Sequence, residues 1–181
     1  MNKIIRALKK RYYTITGNEE KILQLKIDQF IKLGGACGKN FKFYCDMPGE
    51  PYLVTIGNDV TIAYDTALLT HDNSVIKCGI NATDYFGKII IGNNCFIGAK
   101  SIVLPGVTLG DNTIVGAGSV VTKSFSEGNV VIAGNPARII CTLDRFKNKK
   151  RTISLNLDIE NRRQNKKEYI LSLDEPMFEK K

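Results

Sequence analysis

A chain of 181 residues with 43% apolar and 24% charged residues has material for one hydrophobic core, and is neither a disordered chain nor a small disulfide scaffold. No apolar run approaches the roughly 18 residues that cross a bilayer, and Arg6, Lys9, Lys10 and Arg11 interrupt what would be the apolar part of an export signal, so a cytoplasmic protein is expected. The formal charge of +8 is carried by the ends: residues 1–40 hold nine Lys or Arg against three Asp or Glu, residues 41–141 six against eight, and residues 142–181 eleven against seven.

That charge admits an anionic partner, but no nucleic-acid motif or cluster of aromatic residues accompanies it, so nucleic acid is not expected. Cys37, Cys45, Cys78, Cys95 and Cys141 are odd in number and form no CxxC pair. They read as reduced packing residues, and with a single histidine they predict no metal site.

From the N-terminus, residues 1–13 fit a short basic helix with Ile4, Ile5, Leu8 and Tyr12 on one side. Packing on a neighbour and docking on an anionic membrane surface are the two uses open to it. Gly17-Asn18 breaks the segment, and Asn18 is placed to cap a second helix from Glu19 to Leu33. Ile22, Leu25, Ile27, Phe30 and Ile31 would form its buried stripe, and Gly34-Gly35 would stop it.

Beyond the helices a period of six takes over. From 91 to 126 the chain reads IGNNCF, IGAKSI, VLPGVT, LGDNTI, VGAGSV, VTKSFS, each block opening on an aliphatic residue: Ile91, Ile97, Val103, Leu109, Val115, Val121. A helix needs apolar residues three and four apart, and a plain strand alternates in twos. A period of six suits a chain that turns a corner every six residues and sends one aliphatic side chain inward per flat side. Glycine at the second position would permit the corner, and a compact fifth residue would let successive coils stack. The same beat runs from Ile56 through Ile62 to Leu68, with an irregular first coil before it in which Met47-Pro48-Gly49-Glu50-Pro51 shifts the phase.

The beat is lost after Leu68 and returns at 91, and the only histidine, His71, opens the gap. The loop that follows is long for a structureless connection, and such loops are commonly functional. Val130 to Ala133 make a last flat side and Gly134-Asn135-Pro136 closes the repeat. The remainder is charged and helical in pattern, with Tyr169, Ile170, Leu171 and Leu173 apolar and Thr152 to Leu157 alternating like a strand.

The hexads, the loop histidine in Leu69-Thr70-His71-Asp72 and the closing Val131-Ile132-Ala133-Gly134-Asn135-Pro136-Ala137-Arg138 resemble the left-handed β-helix acyltransferases. More narrowly these motifs are similar to the maltose/galactoside and capsular-polysaccharide O-acetyltransferase branch, and Glu50-Pro51-Tyr52-Leu53 before Ile56-Gly57-Asn58-Asp59-Val60-Thr61 most resembles its polysaccharide members. The resemblance implies a mainly β chain: an N-terminal helical segment over 1–35, a left-handed parallel β-helix over 36–141 with a loop at 72–90, and a C-terminal tail over 142–181. It also implies a homotrimer with acetyl-CoA between neighbouring coils, and transfer of acetyl to a sugar hydroxyl in surface-polysaccharide assembly.

His71 would be the general base, because imidazole titrates near working pH and a sugar hydroxyl must lose its proton as it attacks. Asp72, adjacent in sequence, and Glu50, about one coil earlier, are both open as the acid that holds the ring. Asn73, Asp84 and Tyr85 would shape the acceptor site. Carried over from the family, Phe96, Ala99, Ala117, Thr122, Lys123 and Arg138 would hold the coenzyme, with small side chains along the pantetheine and cations at the phosphates. The position three beyond Arg138 is Cys141, where relatives often carry a further basic residue. The alternatives are N-acetylation of an amino-sugar nucleotide or another small metabolite, and a non-catalytic trimeric assembly module.

Overall fold

The computed structural model describes residues 3–151, 153–154 and 166–173, and they divide into two compact units, 1–143 and 144–181. The first unit begins with two helices, α1 (Lys3–Ile15) and α2 (Glu19–Lys32), packed on each other. Asn18 caps α2, its side-chain oxygen accepting the Lys21 N–H at 3.2 Å. Phe30 is the fully buried residue of α2, and it meets Phe41 and Phe43 at ring-centroid distances of 6.1 and 5.5 Å. The expected stripe is incomplete: Ile31 is 52% exposed, while Leu23 and Ile27 rest against the core. On α1, Leu8 and Tyr12 are exposed, as is Ile15, and the side chains of Ile4 and Ile5 fall outside the described residues.

From Ala36 the chain visits three sheets in rotation. The first holds β1 (Ala36–Cys37), β3 (Val54–Ile56), β8 (Ile89–Ile91) and β11 (Thr108–Leu109). The second begins with β2 (Lys42–Phe43), β4 (Thr61–Ile62), β9 (Phe96–Ile97) and β12 (Ile114–Val115), and the third holds β5 (Ala67–Leu68), β10 (Ile102–Val103) and β13 (Val120–Val121). Neighbouring strands in each are parallel, with registers such as Ile91↔Leu109, Ile97↔Val115 and Val103↔Val121. Successive strands of one sheet are thus a full circuit of the chain apart.

The first residue of every hexad points inward. Ile62, Ile97, Val103, Val115 and Val121 have no exposed surface, and Ile56, Leu68, Ile91 and Leu109 almost none. Each such side chain contributes about 1.5–3 kcal/mol through burial. Fifth positions are buried as well, and their hydroxyls are satisfied by backbone carbonyls: Thr113 and Ser119 donate to Gly110 O and Gly116 O at 2.7 and 2.6 Å.

The corners are made differently from the sequence expectation. The left-handed backbone falls on the fourth residue: Asp59, Asp65, Asn94, Lys100, Gly106, Asn112 and Gly118 all have positive φ. Asn and Asp tolerate that region better than most residues. Glycine at the second position serves close approach: a Cβ on Gly98 would stand 2.5 Å from Ala117 N, and one on Gly110 2.2 Å from Ser126 O. The corner amides also form ladders, with Asn94 donating to Asn112 at 2.7 Å and Asn112 to Asn129 at 3.0 Å.

Three irregularities interrupt the rotation. Met47 to Leu53 stands where the first circuit would place a strand in the third sheet, and ends in a 3-10 turn at Pro51–Leu53. The loop after Leu68 is partly ordered: β6 (His71–Asp72) pairs antiparallel with β7 (Tyr85–Phe86), and a 3-10 turn covers Ser74–Lys77. After β14 (Val130–Ala133) joins the second sheet, β15 (Arg138–Thr142) folds back antiparallel on it, a strand absent from the sequence reading.

Cys45 and Cys95 are buried, and burial pushes the Cys45 thiol up to about 12. Cys78 is exposed, so it is not the packing residue expected from sequence. The second unit contains α3 from its second residue onward (Leu143–Lys150) and α4 (Lys166–Leu171), the latter carrying Tyr169, Ile170 and Leu171. Most of the strand-like stretch 152–157 lies outside the described residues.

Candidate active site

His71 sits just past the corner between the third and first sheets, and its surroundings come from two circuits. The phase-shifted stretch before β3 carries Gly49 and Glu50 to the corner that Thr70 and His71 occupy one circuit later. Nδ1 of His71 lies 2.8 Å from Oε2 of Glu50. The same carboxylate oxygen accepts a short hydrogen bond from the Thr70 hydroxyl, which in turn accepts the Glu50 backbone N–H at 3.3 Å. Gly49 leaves room for the imidazole: a Cβ there would stand 3.3 Å from His71 Cε1.

The side chain of His71 is 42% exposed and that of Glu50 17%. With Glu50 on Nδ1, the neutral ring keeps its proton on that nitrogen, and Nε2 presents its lone pair. The Glu50 hydrogen bond raises the His71 pKa above its ordinary value of 6.5, against the opposing effect of desolvation. Glu50 is itself held below the usual carboxylate range, first by the Thr70 hydroxyl and then by His71.

Asp72 and Tyr85 belong to the other face of the β6–β7 pair. Successive residues of a strand point to opposite sides, so Asp72 turns away from the ring next to it. Its carboxylate accepts the Ser74 N–H at 2.7 Å and the Tyr85 hydroxyl at 3.1 Å. On the histidine side, the cross-strand partner of His71 is Phe86, with ring centroids 5.7 Å apart. Asn73 begins the 3-10 turn, and Asp84 is near enough to add to the upward pull on the His71 pKa. Thr70 and Gly49 thus join the site although neither was singled out from sequence; a one-circuit offset corrected for the phase shift would have found both.

The expected coenzyme residues do not gather at one corner. Ala99 and Ala117 stack at the corner from the second to the third sheet, where Gly118 N–H donates to Ala99 O at 2.8 Å. Phe96 lies on the outer side of the second sheet, 45% exposed, between Thr61 and Ile114. Thr122 and Lys123 are exposed at the same type of corner as His71, two strand spacings or roughly 10 Å along the stack as measured from Leu68 to Val121. The Lys123 ammonium lies 5.6 Å from the Phe125 ring centre. Arg138 opens β15, and its guanidinium donates to Ala137 O at 3.0 Å. No group of three or more His, Cys, Asp or Glu among the described residues is gathered to hold a metal.

Residues 88–123 match the hexapeptide repeat of succinyl-transferase. Protein CapG of Staphylococcus aureus is 44% identical over 131 residues, which are 69% of this chain and 76% of CapG. A putative acetyltransferase of Saccharomyces cerevisiae is 32% identical over 152 residues, covering 71% of this chain and 75% of its own. Among solved structures, a galactoside acetyltransferase in complex with coenzyme A is 27% identical, with a TM-score of 0.52 over 71% of this chain and 73% of that one. The chain belongs to the hexapeptide-repeat acetyltransferases.

Proposed function

We propose that this protein is an acetyl-CoA-dependent O-acetyltransferase that acts on a sugar hydroxyl in surface-polysaccharide assembly, with His71 as its general base. The observation that carries the reading is the Glu50 carboxylate 2.8 Å from Nδ1 of the sole histidine, which orients the ring and leaves Nε2 free to accept a proton. The three-sheet rotation is a left-handed parallel β-helix over 36–141, flanked by the 1–35 helices and the 142–181 tail. The handedness is that of the family.

The thioester brings an already activated carbonyl, so the protein's task is to align the two reactants and move one proton. As the sugar oxygen bonds to the acetyl carbon, His71 Nε2 takes the hydroxyl proton and becomes an imidazolium that Glu50 stabilises. It returns the proton to the sulfur as the carbon–sulfur bond breaks, giving the acetyl ester and free coenzyme A. Proton inventory and charge close within one imidazole, and no acyl-enzyme is needed.

The residues present suit the coenzyme. Ala99 and Ala117 offer a wall of small side chains, Thr122, Lys123 and Arg138 offer donors for phosphates, and Phe96 an exposed aromatic surface. Within one chain this wall and His71 stand at different corners, so a complete site takes one corner from a second copy. A homotrimer is what the family resemblance implies for this chain, and the exposed apolar side chains of Ile90, Phe96, Ile139 and Ile140 suit contacts between copies. Asn73, Asp84 and Tyr85 shape the acceptor end together with Phe86. We place the enzyme in the cytoplasm; the basic α1, with Leu8, Tyr12 and Ile15 exposed, gives it a means of resting on an anionic membrane. No helix among the described residues is long and apolar enough to cross one.

His71→Ala is the test. Thiol release from acetyl-CoA, with methyl galactoside and other sugars as acceptors, is expected to fall by about 10²–10⁴ while the fold is kept. Undiminished transfer by a folded His71→Ala protein refutes the assignment.

A further inference from the structure

Among the described residues, five polar side chains are buried in the stack: Thr66, Thr70, Ser101, Thr113 and Ser119. Four of them donate to backbone carbonyls, as expected of hydroxyls that merely need satisfying: Thr66 to Gly98 O, Ser101 and Ser119 to Gly116 O, and Thr113 to Gly110 O. Thr70 is different in partner and in place. Its partner is the Glu50 carboxylate. Its place is the third position of a hexad, which is nowhere else buried: Asn58, Tyr64, Asn93, Asp111, Ala117 and Lys123 are exposed, and Ala99 and Pro105 are half-buried. Thr70 is 1% exposed, and Gly49 and Glu50 of the Met47–Leu53 irregularity lie against it.

The direction of the hydroxyl proton is settled by the contacts. The oxygen accepts the Glu50 backbone N–H at 3.3 Å, and its one hydrogen is left to donate to Oε2. One hydroxyl therefore holds Glu50 by its main chain and by the end of its side chain. A free glutamate has three rotatable bonds, and each rotamer lost is an entropic cost. Thr70 confines it to the rotamer whose Oε2 meets the imidazole.

We propose that Thr70 is a positioning residue for acetyl transfer, its hydroxyl locking the Glu50 carboxylate against Nδ1 of His71. This rests on the reading of His71 as the base. Thr70 touches no substrate; it acts through Glu50. Removing the hydroxyl while keeping the volume lets Glu50 leave the ring, and the imidazole returns toward its ordinary basicity.

The experiment compares wild type, Thr70→Val, Thr70→Ser, Glu50→Gln and the Thr70→Val/Glu50→Gln double variant as purified full-length protein. Because His71 is the only histidine, its ring protons titrate without overlap in an NMR pH series, independently of any acceptor. The expected result is a lower His71 pKa in Thr70→Val and in Glu50→Gln, and a wild-type value in Thr70→Ser. In thiol release from acetyl-CoA with methyl galactoside, or with water as acceptor, Thr70→Val is expected to lose on the order of tenfold in kcat. The KM for acetyl-CoA should be unchanged, and Thr70→Ser should restore the rate. In the Glu50→Gln background the same substitution should cost less than about twofold, because the two side chains act as one unit.

A wild-type His71 titration in folded Thr70→Val, or losses that multiply in full in the double variant, overturns the proposal. Thr70→Ala takes the place of valine in the same cycle if the valine protein does not fold. Full activity in His71→Ala would instead refute the base assignment, while the titration would still decide whether Thr70 holds Glu50.

Discussion

Glu50→Gln removes one negative charge from Nδ1 of His71 and changes little else in volume. In the wild type the carboxylate raises the His71 pKa above 6.5, so more alkaline solution is needed to free the base, and the base once freed is stronger. A neutral amide in its place reverses both effects. A hydrogen bond to a charged group amounts to tenfold to a hundredfold in an equilibrium. With the imidazole side chain 42% exposed, solvent screening favours the lower end.

At pH above the wild-type limb, where both imidazoles are neutral, the variant is expected to be roughly tenfold slower in kcat/KM. Toward pH 6 the gap narrows, because the variant's histidine is already deprotonated where the wild type's is not. The acidic limb of kcat/KM therefore moves down. The assay is thiol release from acetyl-CoA with methyl galactoside across pH 5 to 9, read against the His71 NMR titration. A limb that stays in place, or a ratio of rates constant with pH, would show that Glu50 does not govern the base. Stability carries the same signature with its own signs. His71, raised, stabilises the fold fully below 6.5 and loses that contribution as pH rises through its folded value. Glu50, lowered, contributes fully above its ordinary 4.5 and loses it as pH falls through its folded value. The stability difference between wild type and Glu50→Gln is therefore expected to peak between these two ordinary values.

Lys123→Glu should raise the KM for acetyl-CoA by about tenfold or more, with kcat much less affected, since an anion would then face the coenzyme's phosphates; an unaltered KM removes Lys123 from the coenzyme site. Ile97→Ala, at a fully buried first position, is expected to cost about 2–5 kcal/mol in urea unfolding, and a loss below about 1 kcal/mol would contradict close packing of the stack. Liposomes containing anionic lipid should float the wild type at low salt and leave behind a protein lacking residues 1–15. Equal behaviour of the two would assign α1 to protein contacts alone.

The hexad rule was readable residue by residue. Every first position from Ile56 to Leu68 and from Ile91 to Val121 is inward, because the period dictates one inward side chain per flat side whatever the neighbours are. The corner chemistry was half legible. Glycine at the second position stood out in the sequence, but only stacked coils show that it is there to let backbones approach, while the positive φ falls on the fourth position, borne by Asn, Asp and Lys as well as by Gly106 and Gly118. The strand β15 was not legible, since Arg138-Ile139-Ile140-Cys141 follows a Gly-Asn-Pro break and has no partner until β14 is in place. Ile31 illustrates the same limit in α2: helical spacing puts it near the stripe, and the arc that the Phe30–Phe41–Phe43 cluster covers leaves it outside.

What the amino-acid order determined by itself was a repeat of six and a break in it at the sole histidine; the general-base role proposed for that imidazole came with the family the repeat resembles. Which acid serves that imidazole was beyond it, because Asp72 is adjacent in the chain and Glu50 is 21 residues away. Folding decided between them: alternation along β6 carries Asp72 to the opposite face and onto Tyr85, while the lost register before β3 brings Glu50 one circuit back to the ring, where Thr70 holds it. Proximity in sequence is a property of bonds, and proximity at a corner of stacked circuits is a property of register, which only the folded chain possesses.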